Sequence, residues 1–112
     1  MKIDVRNVRG IQILDCSGKI TLGEGTMAIR NAVKDALPAG EKKILLNLAD
    51  VNYIDSAGVG ELVSAYVHTT NSGGKIKLMN LTGKLREVLT ITKILTIFEV
   101  YDNETAAITS FI

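Results

Sequence analysis

Ile44-Leu45-Leu46-Asn47-Leu48-Ala49-Asp50-Val51-Asn52-Tyr53-Ile54-Asp55-Ser56-Ala57-Gly58-Val59-Gly60-Glu61-Leu62 is the stretch on which the architecture turns. Its first five residues are almost wholly apolar and follow a charged flank, Glu41-Lys42-Lys43, which suits a strand covered on both faces. From Val59 onward the spacing changes. Val59, Leu62, Val63, Tyr66 and Val67 recur at helical intervals until Asn71-Ser72-Gly73-Gly74 ends the run. A strand covered on both faces and followed at once by a helix belongs to an α/β sheet.

Working outward, Ile3 and Val5, then Ile11 and Ile13, alternate as two strands joined by a hairpin over Asn7 to Gly10. The second strand is expected to end near Ser17-Gly18. Gly23-Glu24-Gly25 leads to Thr26 as an N-cap, and Ile29, Val33, Ala36 and Leu37 form a helical face that Pro38-Ala39-Gly40 stops. After the central unit, Lys75–Met79 alternates as a strand. Thr82 caps a helix carrying Leu85, Val88 and Leu89. Phe98 to Tyr101 reads as the last strand, and Asp102 or Asn103 caps a terminal helix holding Ala106, Ala107 and Phe111. The expected order is β-β-α-β-α-β-α-β-α, a single domain over residues 1–112. It has a mixed, mostly parallel sheet of about five strands with about four helices packed against it.

Composition narrows the chemistry. The chain has 112 residues, 46% of them apolar, and Ile, Leu and Val number 34, which excludes a disordered chain. Surface scaling predicts about 6,000 Å² for the folded monomer, so a core forms without crosslinks. One Cys and one His supply too few soft ligands for a zinc or iron–sulfur centre. Thirteen basic against twelve acidic residues, with 4% aromatics and no Trp, argue against a nucleic-acid binder. No run approaches 18 apolar residues and the first residues show no leader, so a cytoplasmic protein without membrane insertion is expected. Cys16 reads as a small core residue, and Asp50 and Asp55 as one solvated and one capping carboxylate, with no metal.

Ser56 falls where a strand turns into a helix. Either it or Asp55 can cap that helix. Gly58 and Gly60 in the first turn each cost about 1 kcal/mol relative to alanine, which suggests a backbone approached closely from outside. Unpaired N–H groups and the positive dipole end would tolerate a phosphoryl group there. A hydrolase elbow is excluded: Ile54 stands where G-x-S-x-G needs glycine. The only histidine, His68, lies 12 residues on, roughly 18 Å along the same helix. Gly23-Glu24-Gly25-Thr26-Met27-Ala28 matches G-x-G-x-x-A formally. However, its strand is half of a hairpin and Glu24 would face a pyrophosphate, so no nucleotide cofactor is expected. Ser64, Thr69 and Thr21 offer themselves as secondary acceptors, but each is more simply read as a polar surface residue.

At Asp55-Ser56-Ala57-Gly58-Val59-Gly60-Glu61-Leu62 the chain resembles the STAS domain, in particular the bacterial anti-sigma factor antagonists. Leu46 to Ile54 is similar to that family's buried strand and entry loop, and Phe98 to Asp102 with Glu104 to Ala107 to its last strand and helix. The resemblance implies a non-enzymatic regulatory switch. The unphosphorylated protein binds an anti-sigma factor that is also a serine kinase, and so releases the sigma factor. Phosphorylation of the motif serine ends binding, and a serine phosphatase resets it. Carried onto this chain, the acceptor is Ser56 and the partner surface comprises Asp55, Ser56, Ala57, Gly58 and Gly60, with Gly18 to Thr21 beside it. Thr21 stands where the family often has an acidic or amide residue, and Asn47 where it has an aspartate. The alternatives are a STAS subunit of a stressosome-like or lipid-transport assembly, with Ser56 a contact or cap, and a nucleotide-binding domain with a pocket at Gly23–Gly25. The oligomeric state is left open.

Overall fold

The computed structural model describes residues 1–37 and 42–112. The helix stop expected at Pro38-Ala39-Gly40 lies outside the described residues. Five strands form one sheet in the order of the chain: β1 (Lys2–Val8), β2 (Ile11–Ile20), β3 (Lys43–Ile54), β4 (Lys75–Met79) and β5 (Val100–Tyr101). β1 and β2 are antiparallel and the other neighbours parallel. The hairpin turn is Arg9-Gly10, both at positive φ (54° and 83°), the two-residue turn whose twist matches that of the strands it joins. Four helices follow the expected alternation: α1 (Glu24–Ala36), α2 (Ser56–Asn71), α3 (Gly83–Ile91) and α4 (Glu104–Ser110).

The sheet is covered unequally. Ile44, Leu46 and Leu48 of β3 join Leu14, Ile20, Ile29, Leu62, Leu78 and Leu89 in the main core beneath α1, α2 and α3. Leu45 points the other way, into a smaller cluster with Ile11, Ile13, Met79, Ala107 and Phe111 beneath α4. The folded chain exposes 5761 Å², close to the size expectation.

Several boundaries move. β2 runs past Ser17-Gly18 to Ile20, and β3 past Leu48 to Ile54, because each supplies the other's partner: Ser17 faces Asp50, Lys19 faces Tyr53, and Ile20 faces Ile54. Register shifts between Asp15 and Ser17 and between Gly18 and Lys19 absorb the irregular sequence. α1 starts at Glu24 with Gly23 as its cap, not at Thr26. The Thr26 hydroxyl is buried in the first turn, accepting from the Gly23 N–H and donating to the Gly23 carbonyl, both at 3.2 Å. β5 keeps only Val100–Tyr101, since Phe98 turns into the main core and meets the Tyr66 ring edge-on at 5.4 Å. A 3-10 turn, Ile94–Thr96, precedes it. α2 ends as the glycines suggest. Gly73, at φ 81°, donates to the Thr70 carbonyl and Gly74 to that of Thr69. Thr69 itself is fully buried, not a surface residue, because it falls on the inward face of α2 with Leu62 and Ala65.

On the α4 side a polar chain crosses the sheet. Arg6 donates to Asp15 (2.6 and 3.0 Å) and to Glu104 (2.6 and 3.3 Å). The Asn47 amide donates to Asp15 at 2.8 Å and accepts from Asn80 at 3.1 Å. An aspartate at 47 would set two carboxylates against each other, so the uncharged residue follows from Asp15. The Arg6 guanidinium, aided by the Asn47 amide, holds the Asp15 carboxyl below the usual range. A depressed carboxyl stabilises the fold above its unfolded value of about 3.9, and that contribution is lost as pH falls through the lower folded value. Thermal melts should therefore drop below about pH 4, and Asp15→Asn should flatten that drop. An unchanged slope in the variant would remove Asp15 from the acid response.

Candidate functional site

The C-terminal ends of β2 and β3 bring two segments together: Thr21-Leu22-Gly23, entering α1, and Asp55-Ser56, entering α2. Asp55 caps α2 in extended backbone (φ −103°, ψ −177°). Its Oδ1 accepts from the Gly58 N–H at 2.8 Å, and its Oδ2 from the Leu22 N–H at 3.1 Å. Its own N–H donates to the Ile20 carbonyl at 3.3 Å. One carboxylate thus ties the helix start to the loop before α1. The Gly58 N–H first, then that of Leu22, hold this carboxyl below the usual range.

With Asp55 as cap, Ser56 becomes the first helical residue. It is exposed, and its hydroxyl makes no hydrogen bond among the described residues. Ala57 is half-buried beside it. The two glycines separate. Gly58 is buried, and a Cβ there would run into the Ile20 carbonyl oxygen, Ile54 Cγ1 and Ile20 Cγ2, so the close approach comes from within the fold. Gly60 is exposed, with nothing within 4 Å of an added Cβ. Thr21 lies next to this junction, its carbonyl accepting from the Thr26 N–H at 3.1 Å. Gly18 is set back along β2, opposite Val51 and close against Met1.

Ser56 and His68 lie on one continuous helix, twelve residues apart, and His68 is exposed. Burial pushes the Cys16 thiol up to about 12, which leaves it protonated and unreactive. At the Gly23–Gly25 turn, a Cβ on Gly25 would come within 2.5 Å of the Lys19 carbonyl oxygen, so this glycine lets the helix start lie on β2.

Leu22 was not legible as part of the site. It is 78% exposed, and with Gly23 as cap it and Met27 (54% exposed) hold the flanking positions of a hydrophobic staple. Tyr53, with the Lys84 ammonium 5.5 Å from its ring centre, borders the same end of the sheet.

The family model for the STAS domain matches residues 2–107. The chain belongs to the STAS domain family. Among relatives of this STAS domain, the anti-sigma F factor antagonist of Paenibacillus polymyxa is 24% identical over 110 residues, 97% of this chain and 93% of that protein. A Thermotoga maritima crystal structure, described as a candidate anti-sigma factor antagonist, superposes with a TM-score of 0.87 at 28% identity, covering 96% of this chain and 92% of the other. The Bacillus cell fate determinant SpoIIAA in its phosphorylated form shares the fold, with a TM-score of 0.73 and 18% identity over 99% of this chain and all of that one. No described helix of the STAS domain is long and apolar enough to cross a membrane.

Asp55 makes a direct prediction for this site. Asp55→Ala should expose the Leu22 and Gly58 amides together to hydrogen exchange. Asp55→Asn should protect only one of them, because its amide nitrogen cannot accept. Full protection of both in the alanine variant would show that the carboxylate does not join the two segments.

Proposed function

We propose that this STAS domain is an anti-sigma factor antagonist controlled at Ser56. Unphosphorylated, it binds an anti-sigma factor that is also a serine kinase, and the sigma factor is released. Transfer of a phosphoryl group to the Ser56 hydroxyl ends the binding, and a serine phosphatase restores it. The domain does no catalysis of its own and works in the cytoplasm. The contact surface comprises Ser56, Ala57, Gly60 and Thr21. Asp55 positions them, Gly58 holds the helix close to β2, and Gly18 sits at the edge.

The observation that carries this reading is the division of labour between Asp55 and Ser56. Asp55 does the capping, so the Ser56 hydroxyl is free at an exposed helix start and can be modified without undoing the helix. A phosphate there adds about −1.5 to −2 charges. The helix dipole tolerates that charge in the free protein, whereas a partner packed over the same residue meets it undischarged. The relatives' names agree with such a role.

Paired capture from a lysate of the source organism tests it, with wild type and Ser56→Asp as baits and mass spectrometry as readout. A kinase-like anti-sigma factor on wild type alone is expected. Equal recovery of another assembly on both baits would return Ser56 to a structural role and favour the scaffold alternative.

A further inference from the structure

The two edges of the sheet are unlike. β5 ends it with two residues, too short to offer a partner strand much to pair with. β1 ends it with seven, and their register against β2 is unbroken, with no proline and no bulge to blunt the edge. Five of the seven, Lys2 and Asp4 to Asn7, are exposed, so neither α1 nor α4 closes over them. The hairpin fixes which backbone groups face outward. Its two-residue turn makes Val8 and Ile11 a bonded pair, and bonded pairs recur at Arg6, Asp4 and Lys2. The N–H and C=O groups of Ile3, Val5 and Asn7 therefore point away from β2, and no loop or turn among the described residues bonds to them.

Side chains add a rule of register. On the α1 face Val5 is 59% exposed, at the mouth of a groove of about 380 Å³ that Ile3 and Val5 line with Ala28 and Ala32. On the α4 face the charges alternate in sign: Lys2, Asp4, Arg6. Asp4 faces Asp15 across the hairpin, and the cation it meets is Lys2, at 3.7 Å on its own strand. Asp15 and Glu104 leave one Nη1 hydrogen of Arg6 uncommitted. A second β1 laid antiparallel on this edge, faces aligned, has few registers to choose from. Centred on Asp4, it sets Asp4 against Asp4 and Lys2 against Arg6; centred on Arg6, it sets Arg6 against Arg6. Centred on Val5, it sets Asp4 against Arg6 twice, bonds Val5 to Val5 and Ile3 to Asn7, and uses the whole strand.

We propose that β1 pairs with the β1 strand of a second copy of this chain, antiparallel and centred on Val5, joining two five-stranded sheets into one. The contact is isologous, so it closes at two copies and leaves only the short β5 edges. Charge complementarity selects a second copy as the occupant, because a foreign strand would have to carry an anion and a cation at this same spacing. The pairing is independent of the function proposed above. Because the two β1 strands run in opposite directions, the C-terminal ends of β2 and β3 in the two copies point to opposite ends of the joined sheet. Both Ser56 sites stay open, and one dimer offers two of them.

Sedimentation equilibrium over a concentration series, with amide hydrogen exchange at the lowest and highest concentrations, tests the pairing. The mass should rise from one chain to two. Over the same range the amides of Ile3, Val5 and Asn7 should gain about tenfold or more in protection, whereas those of Asp4 and Arg6, already bonded to β2, should change little. Asp4→Arg sets like charges together at both ends of the contact and should weaken dimerisation about tenfold or more. Its melting midpoint at low concentration should not fall, since Asp4 is exposed and faces Asp15. A chain that stays single at every concentration leaves the edge to a foreign strand and overturns the proposal. So does a doubled mass without protection at Val5, which puts the contact on another face. Undiminished dimerisation by Asp4→Arg overturns it as well.

Discussion

Ser56→Asp is expected to keep the melting midpoint of wild type and to lose a hundredfold or more in affinity for the captured partner. The first half follows from the free protein. The Ser56 hydroxyl makes no bond that aspartate would break, the cap belongs to Asp55, and a carboxylate in the first turn of α2 lies at the favourable end of the dipole. The second half follows from burial. A carboxylate covered by a partner without a matching cation loses its hydration, at a cost of several kcal/mol, and a hundredfold corresponds to about 2.7 kcal/mol. Ser56→Ala separates charge from shape: it should bind as wild type does and resist the kinase. Calorimetric titration of the three chains against the purified partner, with melts alongside, reads both halves. Undiminished binding by Ser56→Asp would end the switch reading.

Gly58→Ala should destabilise the fold by about 2–3 kcal/mol, or roughly 10 °C in midpoint, despite placing the best helix former in a helix. Its methyl group would collide with the Ile20 carbonyl, a backbone atom held in the β2–β3 ladder, as well as with the Ile20 and Ile54 side chains. Relief would require α2 to lift from the sheet. Two residues further on, the same substitution at Gly60 should stabilise. The opposite signs are a strict check on which way each glycine faces. A wild-type midpoint in Gly58→Ala would mean that α2 sits further from β2 than described.

How far the sequence could be read depended on whether local pattern or a distant partner set the outcome. The apolar run Ile44–Leu48 announced a strand covered on both sides, and Leu45 and Leu46 do enter different cores. The hairpin, the Thr82 cap and the glycine stop after α2 were equally local, and all are present. The extra length of β2 and β3 was not local, because Gly18–Ile20 and Val51–Ile54 find their strand partners only in each other, across register shifts. At the site, Ser56 stood out through its neighbours Asp55, Gly58 and Gly60. Leu22 did not, because placing the start of α1 at Thr26 hid that it immediately precedes a glycine cap. Nor could spacing tell that Gly58 faces inward and Gly60 outward.

The sheet is built in the order in which the chain is made, each strand lying beside the one synthesised before it. A strand leaving the ribosome therefore finds a neighbour already in place, which keeps contacts short in sequence and favours rapid folding. The bond from Arg6 to Glu104 spans 98 residues, and Ile11 and Ile13 share a core cluster with Ala107 and Phe111. β1 can be joined to α4 only once α4 itself has been made, so this link closes assembly of the fold. Until then, Ile11, Ile13, Leu45 and Met79, the apolar residues of the sheet that α4 covers, stay open to water.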